Sequence, residues 1–313
     1  MSAVPAPFYA DVAEAPERAE AHWLKTSDGV RIRSALWREG KKGTVLLFPG
    51  RTEYIEKYGP AAGELAARGY ATLTVDWRGQ GLADRPLKDA NTGHVARFSD
   101  YQKDIAALLD HAVREKLPKP WFLLTHSMGG AIGLRALYNA LPVKAVAFSA
   151  PMWGIRIHPA LRPVAWALSS VGRTFGRGHL YAPGTSPKTY VAEAPFADNV
   201  LTTDETMYAF MQRQVMQHPD LALGGPSLHW LNSALFECLD LQRRPSPKIP
   251  CYTALGTLER VVDPRPIRDR MARWPGGTLD VIPNAEHEVM MENQGIRRHF
   301  YDAAARLFDA NSH

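Results

Sequence analysis

Short apolar runs alternate with amphipathic segments along most of this chain. Runs of this length that are rich in Val, Leu and Phe indicate strands buried on both faces. Strands that alternate with helices predict a mostly parallel sheet with right-handed crossovers, and such sheets gather function at the carboxyl ends of their strands. The predicted strands cover residues 44–48, 70–75, 121–126, 143–148, 251–255 and 279–282.

Two other patterns divide the chain. Asp28-Gly29 lies between the extended runs 22–24 and 30–37, which is typical of a β-hairpin. The strand–helix alternation stops at Pro151 and resumes near Ile249, and the residues between have helical pieces broken by Pro and Gly. We therefore expect an N-terminal arm (1–20), a core in two parts (21–150 and 249–313) and an inserted helical cap (151–248).

The stretch from Trp121 to Gly130 carries the first chemical signal. An apolar run ends at Ser127, small residues follow at once, and a helical pattern continues. A strand that turns sharply into a helix at a Ser is typical of a nucleophile elbow, which requires small neighbours. Gly129 meets that requirement, but Thr125 stands where the motif has Gly. His126 is next to the nucleophile, and strand alternation predicts that it packs into the core.

A Ser nucleophile needs a base and an acid. His287 follows the last predicted strand and precedes the final helix, which is the expected place for the base in the order Ser, acid, His. Two carboxylates compete for the role of acid. Asp263 precedes Pro264 and is explained as a helix N-cap, so we favour Glu259, which lies nearer the strand end.

The oxyanion hole requires two backbone N–H groups. We expect one from Met128, the residue after the nucleophile, and one from Arg51 in the loop after the strand 44–48. Because main-chain amides perform this task, the identity of the two side chains is no objection.

Three motifs resemble the serine lysophospholipase and monoacylglycerol lipase branch of the α/β-hydrolases. They are the elbow His126-Ser127-Met128-Gly129-Gly130, the loop Asp76-x-Arg78-Gly79-Gln80-Gly81 and the oxyanion loop Pro49-Gly50-Arg51-Thr52-Glu53. The resemblance covers nearly the whole chain after the arm. It implies an α/β-hydrolase fold with an eight-stranded, mostly parallel sheet flanked by helices, an inserted helical cap, and ester hydrolysis without a cofactor.

Composition limits the expected cellular location and the expected partners. The first twenty residues have neither the basic start nor the apolar core of a secretory signal, and no run is long and apolar enough to span a membrane. We therefore expect a cytoplasmic protein. Cys238 and Cys251 have no metal or redox spacing. The net charge is +5, but no basic stripe interleaved with aromatics forms a nucleic-acid motif, so we expect no nucleic-acid partner.

The predicted cap has an unusual charge pattern. From Pro151 to Tyr190 it contains five cations and no Asp or Glu, with aromatic residues between them. The cations are Arg156, Arg162, Arg173, Arg177 and Lys188. This pattern suits either a solvated face or contact with the anionic inner surface of the membrane.

The sequence therefore predicts a serine hydrolase that cleaves the acyl ester of a single-chain lipid, a lysophospholipid or a monoacylglycerol. Two alternatives stay open. One is a short-chain carboxylesterase of broad specificity, and the other is an inactive hydrolase fold that serves as a binding protein. Neither a cofactor nor a metal ion is expected.

Overall fold

The computed structural model describes residues 4–313, and within them nine strands form a single sheet. The strands are β1 (Val4–Pro5), β2 (Ala19–Lys25), β3 (Arg31–Trp37), β4 (Thr44–Phe48), β5 (Ala71–Asp76), β6 (Trp121–His126), β7 (Val146–Ser149), β8 (Cys251–Gly256) and β9 (Thr278–Ile282). Their order is β1-β2-β3-β5-β4-β6-β7-β8-β9. The six strands from β5 to β9 in this order pair in parallel, whereas β1, β2, β3 and β5 pair antiparallel.

Helices cover both faces of the sheet. They are α1 (Ala10–Ala13), α2 (Gly59–Ala67), α3 (Tyr101–Arg114), α4 (Met128–Tyr138), α5 (Arg162–Thr174), α6 (Tyr190–Glu193), α7 (Glu205–Gln217), α8 (Leu228–Arg243), α9 (Pro264–Met271) and α10 (Gln294–Ala310). Helices α5 to α8 all lie in the segment between β7 and β8. Within residues 4–313, no helix is both long and apolar enough to cross a bilayer.

The core forms on both faces because successive strand residues point to opposite sides. In β4, Leu46 and Phe48 join the hydrophobic cluster under α3 and α4, whereas Val45 and Leu47 join the cluster under α2 and α10. The central strands are therefore buried on both faces, which explains their continuous apolar sequences.

The predicted count of eight strands is wrong, since the described residues contain nine. The additional strand is β1, where Val4 pairs with Trp23 and Pro5 with His22 at the edge of the sheet. Two residues are too few to show an alternating pattern, so this strand gave no signal in the sequence. It belongs to the stretch expected to form an arm, of which residues 1–3 lie outside the described part.

The rest of this N-terminal stretch packs against α7 of the insertion. The Tyr9 ring stacks on His218 at a centroid distance of 3.7 Å, and the Tyr9 hydroxyl donates a hydrogen bond to Asp220. The imidazole of His218 lies 2.9 Å from a carboxylate oxygen of Asp11, and Glu14 pairs with Arg213. Residues far apart in the chain therefore hold the C-terminal half of α7 and the turn after it.

The turn from β6 to α4 accommodates Thr125 through a neighbouring glycine. Thr125 is buried two residues before the elbow serine. A Cβ atom added at Gly133 would lie only 2.9 Å from the Thr125 methyl carbon and 3.1 Å from a methyl carbon of Leu123. The helix thus approaches β6 at Gly133, and the missing side chain there leaves room for the Thr125 methyl group.

This contact gives a test of the packing. We expect Gly133→Ala to destabilise the protein, because overpacking costs about 1–3 kcal/mol against a gain of up to ~1 kcal/mol in helix propensity. Thr125→Ser removes the closer of the two methyl groups, so in that background Gly133→Ala should be less destabilising, although the contact with Leu123 remains. Urea unfolding of the four proteins of this double-mutant cycle measures the coupling. Additive effects of the two substitutions would contradict the contact.

Candidate active site

Ser127 occupies a strained turn at the carboxyl end of β6. Its backbone has φ 48° and ψ −116°, a region that non-glycine residues enter rarely and at a cost of about 1–3 kcal/mol. The turn is tight enough that a side chain at Gly129 would collide with the carbonyl oxygens of Phe48 and Pro49. Ser127 thus stands directly before the first residue of α4, and its side chain lines a cavity.

His287 lies in the same cavity and is oriented by Glu259. The Nδ1 atom of His287 is 2.7 Å from Oε2 of Glu259, which assigns the proton on Nδ1 and leaves Nε2 as the basic nitrogen. The other oxygen of Glu259 accepts hydrogen bonds from the backbone N–H groups of Val261 and Val262, at 2.6 and 2.9 Å. The carboxylate is therefore held on both sides.

Asp263 has a different position. Its side chain accepts a hydrogen bond from the backbone N–H of Arg265 at 3.1 Å, which makes it the N-cap of α9, and it also pairs with the Arg265 guanidinium. Of the two carboxylates that the sequence offered, the structure places Glu259 against His287.

The electrostatics of the pair agree with this arrangement. Burial opposes the charged form of each group, yet the pKa of His287 is raised, because Glu259 and the nearby carboxylates of Glu288 and Glu53 outweigh the burial. Burial likewise opposes the Glu259 carboxylate, but the charge of His287 and the hydrogen bonds described above hold the pKa of Glu259 below its usual value. A raised pKa of His287 and a lowered pKa of Glu259 are expected of two groups that form an ion pair when His287 takes up a proton.

The loop after β4, residues 49–53, is fixed from two sides, and we call it the oxyanion loop. The Glu53 carboxylate accepts hydrogen bonds from the Gly50 N–H and from the Tyr58 hydroxyl. The Gln80 side-chain amide donates to the Gly50 carbonyl at 3.0 Å and accepts from the Thr52 N–H at 3.3 Å. Thr52 has φ 67°, so side-chain hydrogen bonds support another strained turn beside Ser127.

Of the two residues expected to supply the oxyanion amides, Met128 follows Ser127 directly and Arg51 lies in the wall of the same cavity. Met128 is the first residue of α4, so its N–H has no intrahelical acceptor. Arg51 lies in the oxyanion loop and lines the cavity, while its guanidinium donates to the Gly224 carbonyl at 2.9 Å. The Arg51 side chain thus ties the loop to the insertion and leaves its backbone amide for other contacts.

A cluster of buried charges lies beside Ser127 and was not found by sequence reasoning. The Lys57 ammonium is 2.7 Å from a Glu53 oxygen and 2.6 Å from a Glu288 oxygen. His126 Nε2 is 3.5 Å from Glu53 and 3.3 Å from Glu288, and the His126 ring lies 4.7 Å from that of His287. His126 is buried as predicted, but charged groups surround it rather than apolar core.

The same cluster is the group of described side chains whose spacing would suit a metal ion, through Glu53, His126 and Glu288. The Lys57 ammonium already lies between the two carboxylates, where a cation would bind. We therefore interpret the cluster as a network of ion pairs. Little in the sequence indicates this network: Glu288 follows His287 directly, but nothing near Lys57 distinguishes that residue from a surface lysine.

The cavity has two chemically different sides and a volume of about 290 Å³. The charged cluster and the oxyanion loop form one side, next to Ser127 and His287. Apolar side chains form the other side, and most of them belong to the segment between β7 and β8. These apolar residues are Val191, Val200, Leu201, Met211, Val215 and Val261.

Comparison with known proteins agrees with this geometry. Residues 39–294 match the family described as serine aminopeptidase, S33. The chain belongs to this family. The chain is also 32% identical to lysophospholipase L2 of Escherichia coli K12, over 95% of this chain and 89% of that protein. It is also 28% identical to a probable lysophospholipase L2 of Haemophilus influenzae, over 86% of this chain and 84% of the other.

Solved structures confirm the predicted α/β-hydrolase fold for this family member. A soluble variant of monoglyceride lipase from Saccharomyces cerevisiae superposes with a TM-score of 0.72 at 19% identity, covering 98% of this chain and all of the other. A monoacylglycerol lipase from Paleococcus ferrophilus gives 0.70 at 18% identity, covering 89% of this chain and 98% of the other. The fold is therefore shared well beyond recognisable sequence similarity.

The His287–Glu259 pair predicts a specific change in titration. We expect Glu259→Gln to lower the pKa of His287, because it removes the largest favourable interaction of the imidazolium. Asp263→Asn is the matched control and should leave that pKa in place while preserving the helix cap. NMR titration of the His287 ring measures both. An equal effect of the two substitutions would contradict the assignment of Glu259.

Proposed function

We propose that this protein is a serine hydrolase that cleaves the acyl ester of a single-chain lipid, with Ser127, His287 and Glu259 as its catalytic triad. The observation that carries the proposal is the strained Ser127 elbow in one cavity with a histidine whose Nδ1 is held by a buried carboxylate. The names of the characterised relatives, lysophospholipase L2, support the same reaction class.

In this proposal the reaction runs through an acyl-enzyme. His287 takes the proton of Ser127 through Nε2, and the serine oxygen attacks the ester carbonyl. The backbone N–H groups of Arg51 and Met128 bind the oxyanion, each worth about 2.7–4 kcal/mol. His287 then gives its proton to the departing alcohol, which leaves an acyl-enzyme. Water, deprotonated by the same imidazole, releases the fatty acid and restores Ser127.

The two sides of the cavity suit an amphiphilic substrate. The apolar wall can contact an acyl chain, while the charged side faces the polar part of the molecule. The cavity volume of about 290 Å³ lies at the low end for ligand pockets, which favours a short-chain carboxylesterase as the second candidate. We place the lipid esterase first because of the lysophospholipase relatives.

The domain division predicted from the sequence, with a helical cap over this site, is also part of the proposal. Helices α5–α8 lie between β7 and β8, within the predicted cap 151–248, and side chains from this segment line the cavity. The predicted arm (1–20) and core (21–150 and 249–313) complete the division.

We also propose that the protein is cytoplasmic and that α5 binds the anionic inner surface of the membrane. Five apolar side chains at helical spacing are between 44% and 75% exposed along one side of α5 and its ends, and we call them the α5 stripe. They are Leu161, Val164, Leu168, Val171 and Phe175. The inner side of the same helix packs on α8 through Gly172 and Ser169.

The charge around the α5 stripe supports an anionic lipid surface as the partner. Arg162, Arg173 and Arg177 lie on or beside α5, and the whole segment 151–190 has no carboxylate. Apolar side chains flanked by cations are typical of helices that lie in an anionic interface. Arg156 donates to the Glu259 carbonyl at 2.7 Å, so it stabilises the loop that carries Glu259 and is not counted among the cations of the membrane contact.

The reaction class is tested with a substrate panel. Lysophospholipids and monoacylglycerols should be hydrolysed with higher kcat/KM than short nitrophenyl esters, and a fluorophosphonate should label Ser127. Ser127→Ala and His287→Ala should each lower kcat about 10⁴-fold or more, and the double variant should be little worse than either. Preference for short esters would favour the carboxylesterase. Absent labelling would favour a binding protein.

Substitutions in the α5 stripe test the membrane contact. Replacing Val164, Val171 and Phe175 by Ser should weaken binding to vesicles containing phosphatidylglycerol at least roughly tenfold, because each fully buried apolar side chain is worth about 1.5–3 kcal/mol. Binding of the wild type should also weaken as salt rises. Val113→Ser, an exposed site on α3, is the matched control.

Activity on a soluble short ester should survive the triple substitution, since the stripe lies outside the cavity. Unchanged vesicle binding would rule out the membrane contact. Loss of a dimer in solution, with vesicle binding intact, would assign the stripe to a second copy of the chain.

A further inference from the structure

A buried cation joins the two loops that carry the proposed catalytic groups. Lys57 contacts Glu53, the last residue of the oxyanion loop, and Glu288, the residue directly after His287. All three side chains are only 5% exposed. The ammonium is therefore a direct link between the loop that binds the oxyanion and the loop that supplies the base.

Each of these two glutamates is in turn tied to the backbone of a catalytic loop, Glu53 through its carboxylate and Glu288 through its own peptide. The second oxygen of Glu53 accepts the N–H of Gly50, so the position of Glu53 sets the conformation of the oxyanion loop. The backbone N–H of Glu288 donates to the Leu201 carbonyl at 2.7 Å, which fixes the peptide that follows His287. A displacement of the Lys57 ammonium would thus displace both loops, one through Glu53 and the other through Glu288.

Stability alone does not explain the cluster. Burying two carboxylates and an ammonium costs desolvation energy that their attraction repays only in part, and well-packed apolar residues are often as stable. What ion pairs supply beyond an apolar contact is a fixed distance and direction between the groups they join.

We propose that Lys57 is a positioning residue for ester hydrolysis, which holds the oxyanion loop in register with His287 through Glu53 and Glu288. The proposal rests on the function proposed above. Neither Lys57 nor Glu288 takes part in bond making; they fix the distance between the amides that bind the oxyanion and the imidazole that moves the proton.

Lys57 also sets the charge around the base. The charged and titratable groups nearest His287 are Glu259 on one side and Glu53, Glu288 and Lys57 on the other, and the His126 ring completes the set. Removing the ammonium leaves an additional uncompensated carboxylate, which favours protonated His287. Since the base must be neutral to act, activity would then require a higher pH.

The first experiment replaces Lys57 by Met, which has a similar length and no charge. We expect kcat to fall about 100-fold, the loss typical of a misplacement near 1 Å, with a much smaller change in KM. The acid limb of the kcat/KM profile should move to higher pH. Fluorophosphonate titration of the active serine corrects every rate for misfolded protein.

A second pair of variants keeps the test decisive if Lys57→Met does not fold. Glu288→Gln retains an oxygen for the ammonium, so it should keep most of kcat while the acid limb moves to lower pH. Glu288→Leu removes the acceptor and should lose kcat as Lys57→Met does. Arg68→Met is the matched control, because Arg68 also bridges two carboxylates, Glu64 and Asp302, but does not line the cavity.

The outcomes separate this inference from the proposed function. Wild-type kcat and an unmoved acid limb in Lys57→Met and Glu288→Leu would overturn the positioning role, as would losses no larger than that of Arg68→Met. Hydrolysis that survives Ser127→Ala would instead overturn the proposed function itself.

Discussion

The backbone of Ser127 is the constraint on which the rest of the structure depends. A positive φ at a side-chain-bearing residue is unfavourable and persists only where the surroundings fix it. Here β4 and β7 hold β6 on both sides, and α4 packs close enough that Gly129 and Gly133 have no space for a side chain. The parallel sheet thus serves as a rigid support for one unfavourable turn.

Much of the fold and part of the site could be predicted from the sequence, since both depend on local patterns. Continuous apolar runs are a direct result of burial on both faces, so they revealed the central strands. The order of Ser127, Glu259 and His287 along the chain follows from the places where loops leave a parallel sheet. The interpretation of Asp263 as a helix cap depended only on its neighbour Pro264, and the structure has it in that position.

What the sequence did not reveal depends on contacts between distant residues. Thr125 looked unsuitable for the elbow because the motif has Gly at that position. The room for its methyl group comes from Gly133, eight positions later, and this is apparent only once α4 packs on β6. Lys57 and Glu288 are 231 positions apart, and a single lysine in a helical segment gives no sign of burial. His126 was expected in an apolar core because its charged neighbours, Glu53 and Glu288, come from loops far away in the sequence.

The contact between the N-terminal stretch and α7 has a consequence for how this family can diverge. Tyr9, Asp11 and Glu14 hold α7, although about two hundred residues separate the two segments. A segment containing α7 that is exchanged between relatives would arrive without its matching N-terminal residues and would lose these contacts. The N-terminal stretch and the segment around α7 must therefore change together, and a chimaera between relatives needs to exchange both.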